Sequence, residues 1–90
     1  MNFNELKTTI KATPDQDEAI RIISEYISSN PSDDRAFTLR GMKYWGAGKR
    51  ALAINDYLEA IRINPDSTAQ QALTAANEIL DYRNKDLYNP

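Results

Sequence analysis

Ala19-Ile20-Arg21-Ile22-Ile23-Ser24-Glu25-Tyr26-Ile27-Ser28-Ser29-Asn30-Pro31 overlays Ala53-Ile54-Asn55-Asp56-Tyr57-Leu58-Glu59-Ala60-Ile61-Arg62-Ile63-Asn64-Pro65 at an offset of 34 residues. Alanine, isoleucine, glutamate, a second isoleucine, and the closing Asn-Pro coincide. Inside each copy the apolar residues recur at three and four, which is helical spacing. A period of this length, made of two helices and two turns, marks a solenoid of helical hairpins.

Working outward, the spacing predicts five helices. The first runs from about Asn2 to Ala12, with Phe3, Leu6 and Ile10 on one stripe, and Thr13-Pro14 stops it because the residue before proline avoids helical angles. The second runs from Asp15 to about Ser29. Asp15 followed three residues later by Glu18 predicts a capping box, and acids there suit the helix dipole. The third runs from Asp33 to Trp45 behind a Ser32 or Asp33 cap. The fourth runs from Lys49 to Ile63. The fifth begins near Asp66 or Ser67 and ends about Asn84. The expected organisation is one domain over 1–84, with repeat 1 at about 1–33, repeat 2 at 34–67, a capping helix at 66–84 and a tail at 85–90.

Asp34 to Ser67 resembles a tetratricopeptide repeat (TPR). Phe37 takes the aromatic place and Gly41 the small place where paired helices come closest. Tyr44 follows three residues on. Ala53, Tyr57 and Ala60 supply the small–aromatic–small places of the second helix, and Pro65 closes the unit. Arg40 departs from the pattern, standing where leucine is typical. The first copy fits through Phe3, Leu6, Ile10, Ala19, Ile23 and Pro31, with Lys7 at the small place. The third copy supplies one helix with Ala75 at the small place, and a polar outer face suits a solenoid end. The resemblance covers about two and a half repeats. It implies an all-α fold, a short right-handed solenoid of antiparallel helical hairpins with five helices.

Composition narrows the chemistry. The 90 residues include 11 Lys and Arg and 13 Asp and Glu, for a net charge of -2, with no cysteine and no histidine. Disulfides, thiolate nucleophiles and cysteine or histidine metal ligands are therefore excluded, together with Ser–His–Asp and Cys–His catalysis. The balance lacks the basic excess that drives non-specific nucleic-acid binding. No targeting segment or membrane-length apolar run is present. The opening Met1 predicts an intact product, and the chain reads as soluble and cytoplasmic.

The remaining groupings each have a plain structural reading. Gly46-Ala47-Gly48-Lys49 lacks the spacing of a phosphate loop and reads as a turn, with glycine supplying left-handed angles. Arg35, Arg40, Lys43, Lys49 and Arg50, with Tyr44 and Trp45 among them, suggest an RNA-binding patch, but nearby acids favour a solvated turn. Asp15, Asp17 and Glu18 read as a helix start rather than a cation site. Asp81, Tyr82, Arg83 and Lys85 could be grouped as acid, phenol and bases, but nothing in the sequence builds a cleft around them. The expectation is no enzyme, no cofactor and no metal.

Thr38, Met42 and Trp45 share a second face of the third helix. The resemblance places that face on the inner groove. Asn4, Thr8 and Lys11 are the expected neighbours on one side, and Ala72, Ala76 and Ile79 on the other. Methionine and tryptophan are favoured at adaptable binding surfaces. Where carboxylate-clamping members of the family carry lysines, arginines and asparagines, the corresponding places here read mostly Thr, Met, Ala and Leu, with Asn4 alone suitable, so an apolar or helical segment is expected there rather than an acidic tail. The expected function is a protein-interaction module or adaptor that holds a peptide or helix of a partner. The alternative is a homo-oligomer pairing through its end helix or groove. Coverage of the groove by Leu87 and Tyr88 is a third arrangement.

Overall fold

The computed structural model describes the backbone of residues 1–88 and the side chains of residues 1–79. Five helices follow one another: α1 Phe3–Lys11, α2 Gln16–Ser29, α3 Asp34–Gly46, α4 Arg50–Ile63 and α5 Ala69–Tyr88. No strand occurs among the described residues. Each helix packs on the next in sequence, most extensively α3 on α4. Short connections make sequential helices antiparallel. The stack measures 51 × 29 × 17 Å.

The helix ends follow from local chemistry. Asn2 opens α1 with a complete capping box: Glu5 N–H donates to Asn2 Oδ1 at 2.8 Å, and Asn2 N–H donates to Glu5 Oε1 at 3.1 Å. At α2 the expected box is only half made. Asp15 accepts from the N–H groups of Asp17 and Glu18, but the Glu18 carboxylate turns outward to Arg21. Asp33 caps α3 by accepting from Arg35 N–H, and Ser67 Oγ accepts from Ala69 N–H at the start of α5. Lys49 precedes α4 with no side-chain cap. The turn into α4 instead closes on backbone, with Lys49 N–H donating to Tyr44 C=O at 2.9 Å. Gly48 there has φ +79°, the left-handed angle glycine accepts without strain. α5 passes the expected stop at Asn84 and continues to Tyr88.

The two Asn-Pro junctions are built alike. Asn30 and Asn64 both end their helices at φ -139°. Asp33 N–H donates to Asn30 C=O at 3.2 Å, and Ser67 N–H donates to Asn64 C=O at 2.9 Å. Asp33 and Ser67, 34 positions apart, each then cap the following helix. The sequence repeat thus reappears as a repeated turn and cap, although ψ differs, 61° at Asn30 and 104° at Asn64.

The core falls into two packed clusters. Leu6, Ile10, Ala19, Ile23, Tyr26 and Ala36 form the first, with Phe3, Ile22, Ile27 and Leu39 against it. Ala53, Tyr57, Ala60 and Ala69 form the second, with Phe37, Tyr44, Trp45, Ile61, Ala72 and Leu73 against it. Leu6 and Ile23 are the largest side chains fully removed from solvent, each worth about 1.5–3 kcal/mol. The second cluster is mostly alanine, so its helices approach closely. Gly41 sits at that approach. A Cβ built on it would lie 2.6 Å from Tyr57 Cε1 and 3.2 Å from the Ala53 carbonyl oxygen.

Arg40, the departure from the repeat pattern, is turned inward. Its guanidinium donates twice to the Asp56 carboxylate at 2.8 Å and once to Ser24 Oγ at 3.1 Å, tying α2, α3 and α4 together. It also lies over the rings of Phe37 and Tyr44, at 5.5 and 5.7 Å. The Asp56 side chain is 8% exposed and that of Arg40 is 20% exposed. The hydrogen bonds that Arg40 donates to Asp56 favour the charged guanidinium and outweigh the opposing effect of burial. In the first repeat the same two places are held by Leu6 and Ile22, an apolar pair.

Candidate functional site

The first helix of each hairpin, α1, α3 and α5, contributes to one face, and two apolar hollows lie on it. One, of about 280 Å³, is lined by Met42 and Trp45 from α3, Tyr57 from α4, and Ala72, Ala75, Ala76 and Ile79 from α5. The other, of about 330 Å³, is lined by Phe3 and Lys7 from α1, Arg35, Thr38, Leu39 and Met42 from α3, and Thr68 at the start of α5. Met42 belongs to both and stands between them with 55% of its surface exposed. An unbranched thioether at that position can swing toward either hollow.

Of the residues the sequence pointed to, Met42, Trp45, Ala72 and Ala76 line the first hollow. Ala76 is buried and Ala72 half-buried, so they form its floor. Tyr57, expected only as a packing residue, forms part of that floor as well. Trp45 is half-buried, with the Arg50 guanidinium 5.0 Å from its ring centroid. Thr38 does line the second hollow, but only 7% of it is exposed. Its hydroxyl is engaged with Asp34 C=O at 3.0 Å and Ser67 Oγ at 3.3 Å. Thr38 therefore shapes the wall and fixes the start of α5 rather than offering a polar contact.

Asn4 and Thr8 line neither hollow. Both are exposed, and Thr8 bonds back to Asn4 C=O at 3.1 Å. The reason is rotation about the α1 axis. Leu6 and Ile10 face the core. At about 100° per residue Asn4 and Thr8 point roughly 140–180° away from them, whereas Phe3 and Lys7 sit about 40–80° away. Phe3 and Lys7 therefore form the α1 wall. Lys11, one turn beyond Lys7, is exposed and lines neither hollow.

The basic cluster read from the sequence is divided by the fold. Arg35 pairs with Asp33 at 2.9 Å and lies 4.4 Å from the Phe3 ring centroid. Arg40 is held by Asp56. Lys49 approaches Asp17 at 3.7 Å, and Arg50 covers Trp45. The acids at the start of α2 are likewise engaged: Asp15 caps, Asp17 faces Lys49, and Glu18 pairs with Arg21. Asp33 accepts from the Tyr26 hydroxyl at 2.6 Å as well as from Arg35. Burial pushes its carboxyl up, but the donors from Arg35 and Tyr26 outweigh that and hold it below the usual carboxylate range.

Among the described residues no three acidic, histidine or cysteine side chains gather as a metal-holding group, and no helix is long and apolar enough to cross a membrane. The side chains of Leu80, Asp81, Tyr82, Arg83, Lys85, Leu87 and Tyr88 lie outside the described residues. So do the grouping around Tyr82 and the covering of the groove by Leu87 and Tyr88.

No family model matches the chain, and no solved structure matches it. The chain is 34% identical over 59 residues to a protein described as DnaJ homolog subfamily C member 7 homolog, from Schizosaccharomyces pombe (strain 972 / ATCC 24843). That likeness takes in 66% of this chain and 12% of the relative. The chain thus spans a small part of the length of the curated relative it matches.

Proposed function

We propose that the chain is a TPR-like helical repeat module that binds a peptide or helix of another protein on the face formed by α1, α3 and α5. Its mechanism is preformed shape and apolar burial, and no covalent chemistry is involved. The observation that carries this reading is Met42, a large apolar side chain left 55% exposed between two apolar hollows. Exposed apolar surface that is grouped and concave marks a binding surface more often than scattered exposed residues do. The likeness to part of a much longer protein supports TPR-like helical repeats and a role in protein interaction. A segment shared with a larger chain is also what a portable repeat unit would give. Two and a half repeats offer a small groove, for which affinity in the micromolar range is expected.

The test is affinity capture from the native lysate with the wild-type protein and with Met42→Glu. The variant should fold, because the position is exposed and glutamate is as good a helix former as methionine. A protein held by wild type and lost by the folded variant supports the reading. Equal capture by both, or none by either, refutes it.

A further inference from the structure

Met42 differs from the other exposed apolar side chains in its chemistry as well as its place. Among the described residues the large apolar side chains left exposed are Met1, Met42, Leu52, Leu58 and Ile79. Leucine and isoleucine offer no group that a mild oxidant attacks, whereas a thioether sulfur is readily oxidised. The chain has two methionines and no cysteine, so no thiol of its own competes for the oxidant. Met1 stands beside Ile22, Glu25 and Tyr26 of α2 and lines neither groove hollow. Met42 is 55% exposed and, among the described residues, is the one side chain common to both hollows. The oxidisable atom of the groove therefore lies at its centre and in reach of solvent.

From this, and resting on the groove reading above, we infer that Met42 is a reversible oxidation site that regulates the groove. A two-electron oxidant of the peroxide class reaches the sulfur while the groove is empty. The sulfur lone pair attacks one peroxide oxygen, the O–O bond breaks, an S–O bond forms and water leaves. The thioether is thereby oxidised to the sulfoxide and the peroxide reduced. A reductase drawing on a dithiol reverses the step, with the dithiol ending as a disulfide and the oxygen leaving as water. The sulfoxide sets a strong polar acceptor between two apolar hollows. In the empty groove water hydrates it. A seated apolar segment strips that water and offers no donor in return, so the cost falls on the bound state. The fold itself is spared, because the side chain already faces solvent. An occupant that covers Met42 also shields the sulfur, since susceptibility follows exposure.

The probe is a peptide free of methionine, cysteine and tryptophan, selected from a random display library on the reduced full chain with counter-selection on Met42→Glu. The chain is treated with hydrogen peroxide, catalase removes the excess, and peptide mapping locates the sulfoxide. Titration follows before treatment, after it, and after reduction by methionine sulfoxide reductases of both epimer specificities with dithiothreitol. Oxidation should weaken binding at least about tenfold, and reduction should restore it. Met42→Leu, whatever its own starting affinity, should keep that affinity through the same treatment, which separates Met42 from Met1 and Trp45. Saturating peptide should slow oxidation of Met42 at least about threefold while Met1 in the same molecule reacts at an unchanged rate. The melting temperatures of the two forms should agree within about 2 °C. Equal binding by the oxidised chain, a loss shared by Met42→Leu, a loss that reduction does not reverse, undiminished oxidation under saturating peptide, or a lowered melting temperature would overturn the regulatory inference while leaving the groove reading intact. No selected peptide, or peptides that bind Met42→Glu equally well, would overturn the groove reading and this inference with it.

Discussion

Replacing Gly41 by alanine opposes two effects of known sign. Gly41 lies in the middle of α3, where alanine is worth about 1 kcal/mol more than glycine in helix propensity. An unpacked helix would therefore gain stability. Here the new methyl carbon would lie 2.6 and 2.8 Å from two ring carbons of Tyr57 and 3.2 Å from the Ala53 carbonyl oxygen. Carbon atoms rest at about 3.5–4.0 Å, so the overlap with the ring is about 1 Å. Tyr57 is 4% exposed and sits in the second core cluster, so it cannot rotate into water. Relief requires α3 and α4 to part, at the upper end of the 1–3 kcal/mol range for overpacking, about 3 kcal/mol. The net loss is about 2 kcal/mol, a large share of the roughly 5–13 kcal/mol expected for a domain of this length. It should lower the melting temperature by about 8–16 °C. Urea denaturation followed by circular dichroism measures it, with Gly46→Ala as the control. A Cβ on Gly46 would meet chiefly the end of the flexible Gln16 side chain, at 3.0 Å, so that variant should be neutral or slightly more stable. If Gly41→Ala stabilised the protein as Gly46→Ala does, the close approach of α3 to α4 described above would be wrong.

Three further outcomes are expected. Arg40→Leu or Asp56→Ile alone should each cost about 3 kcal/mol, because each strands the other charge away from water, whereas the double variant, which restores the Leu6–Ile22 arrangement of the first repeat, should lie within about 1 kcal/mol of wild type. Chemical denaturation of all four proteins gives the cycle, and additive losses would contradict the paired geometry. Asp33, with its carboxyl held low in the fold, contributes stability that is complete above the unfolded value of about 3.9 and is lost as the pH falls through the lower folded value. The stability gap between wild type and Asp33→Asn should therefore narrow as denaturation midpoints are followed downward from about pH 4. Tyr26 works at the other end of the scale: its hydrogen bond to Asp33, with burial, holds the phenol above its ordinary value. Its contribution is complete below about pH 10 and lost as the pH rises through the folded value, so a gap to Tyr26→Phe that persisted unchanged into strong alkali would refute that contact.

Much of the architecture is legible in the sequence because helix ends are written locally. Asn30-Pro31 and Asn64-Pro65 stop two helices, and Asp15 and Asp33 start two others through their own side chains. Gly41 and the alanines of α4 announce a close approach because nothing larger fits. The site was less legible. Thr38 carries a groove spacing, but its hydroxyl is drawn inward by Ser67, a partner 29 positions away that no local pattern specifies. Asn4 and Thr8 were assigned by analogy with α3, whereas the rotation of α1 is set by where Leu6 and Ile10 find the core. The Arg40–Asp56 pair did leave a trace. Set against Leu6 and Ile22 at the 34-residue offset, two apolar places become opposite charges together.

That joint exchange bears on how the stack assembles. Like hairpins packed in a row invite errors, since one unit can dock where its neighbour belongs, and repeat proteins are prone to such misassembly. The Arg40–Asp56 pair makes the two hairpins non-interchangeable. Were α2 to take the place of α4 against α3, Ile22 would meet the Arg40 guanidinium and leave a cation facing hydrocarbon with no acceptor. Were α4 to take the place of α2 against α1, the Asp56 carboxylate would meet Leu6. Both errors carry the cost of an unanswered buried charge, so the pair serves as an address that lets a chain of similarly shaped parts close in one order.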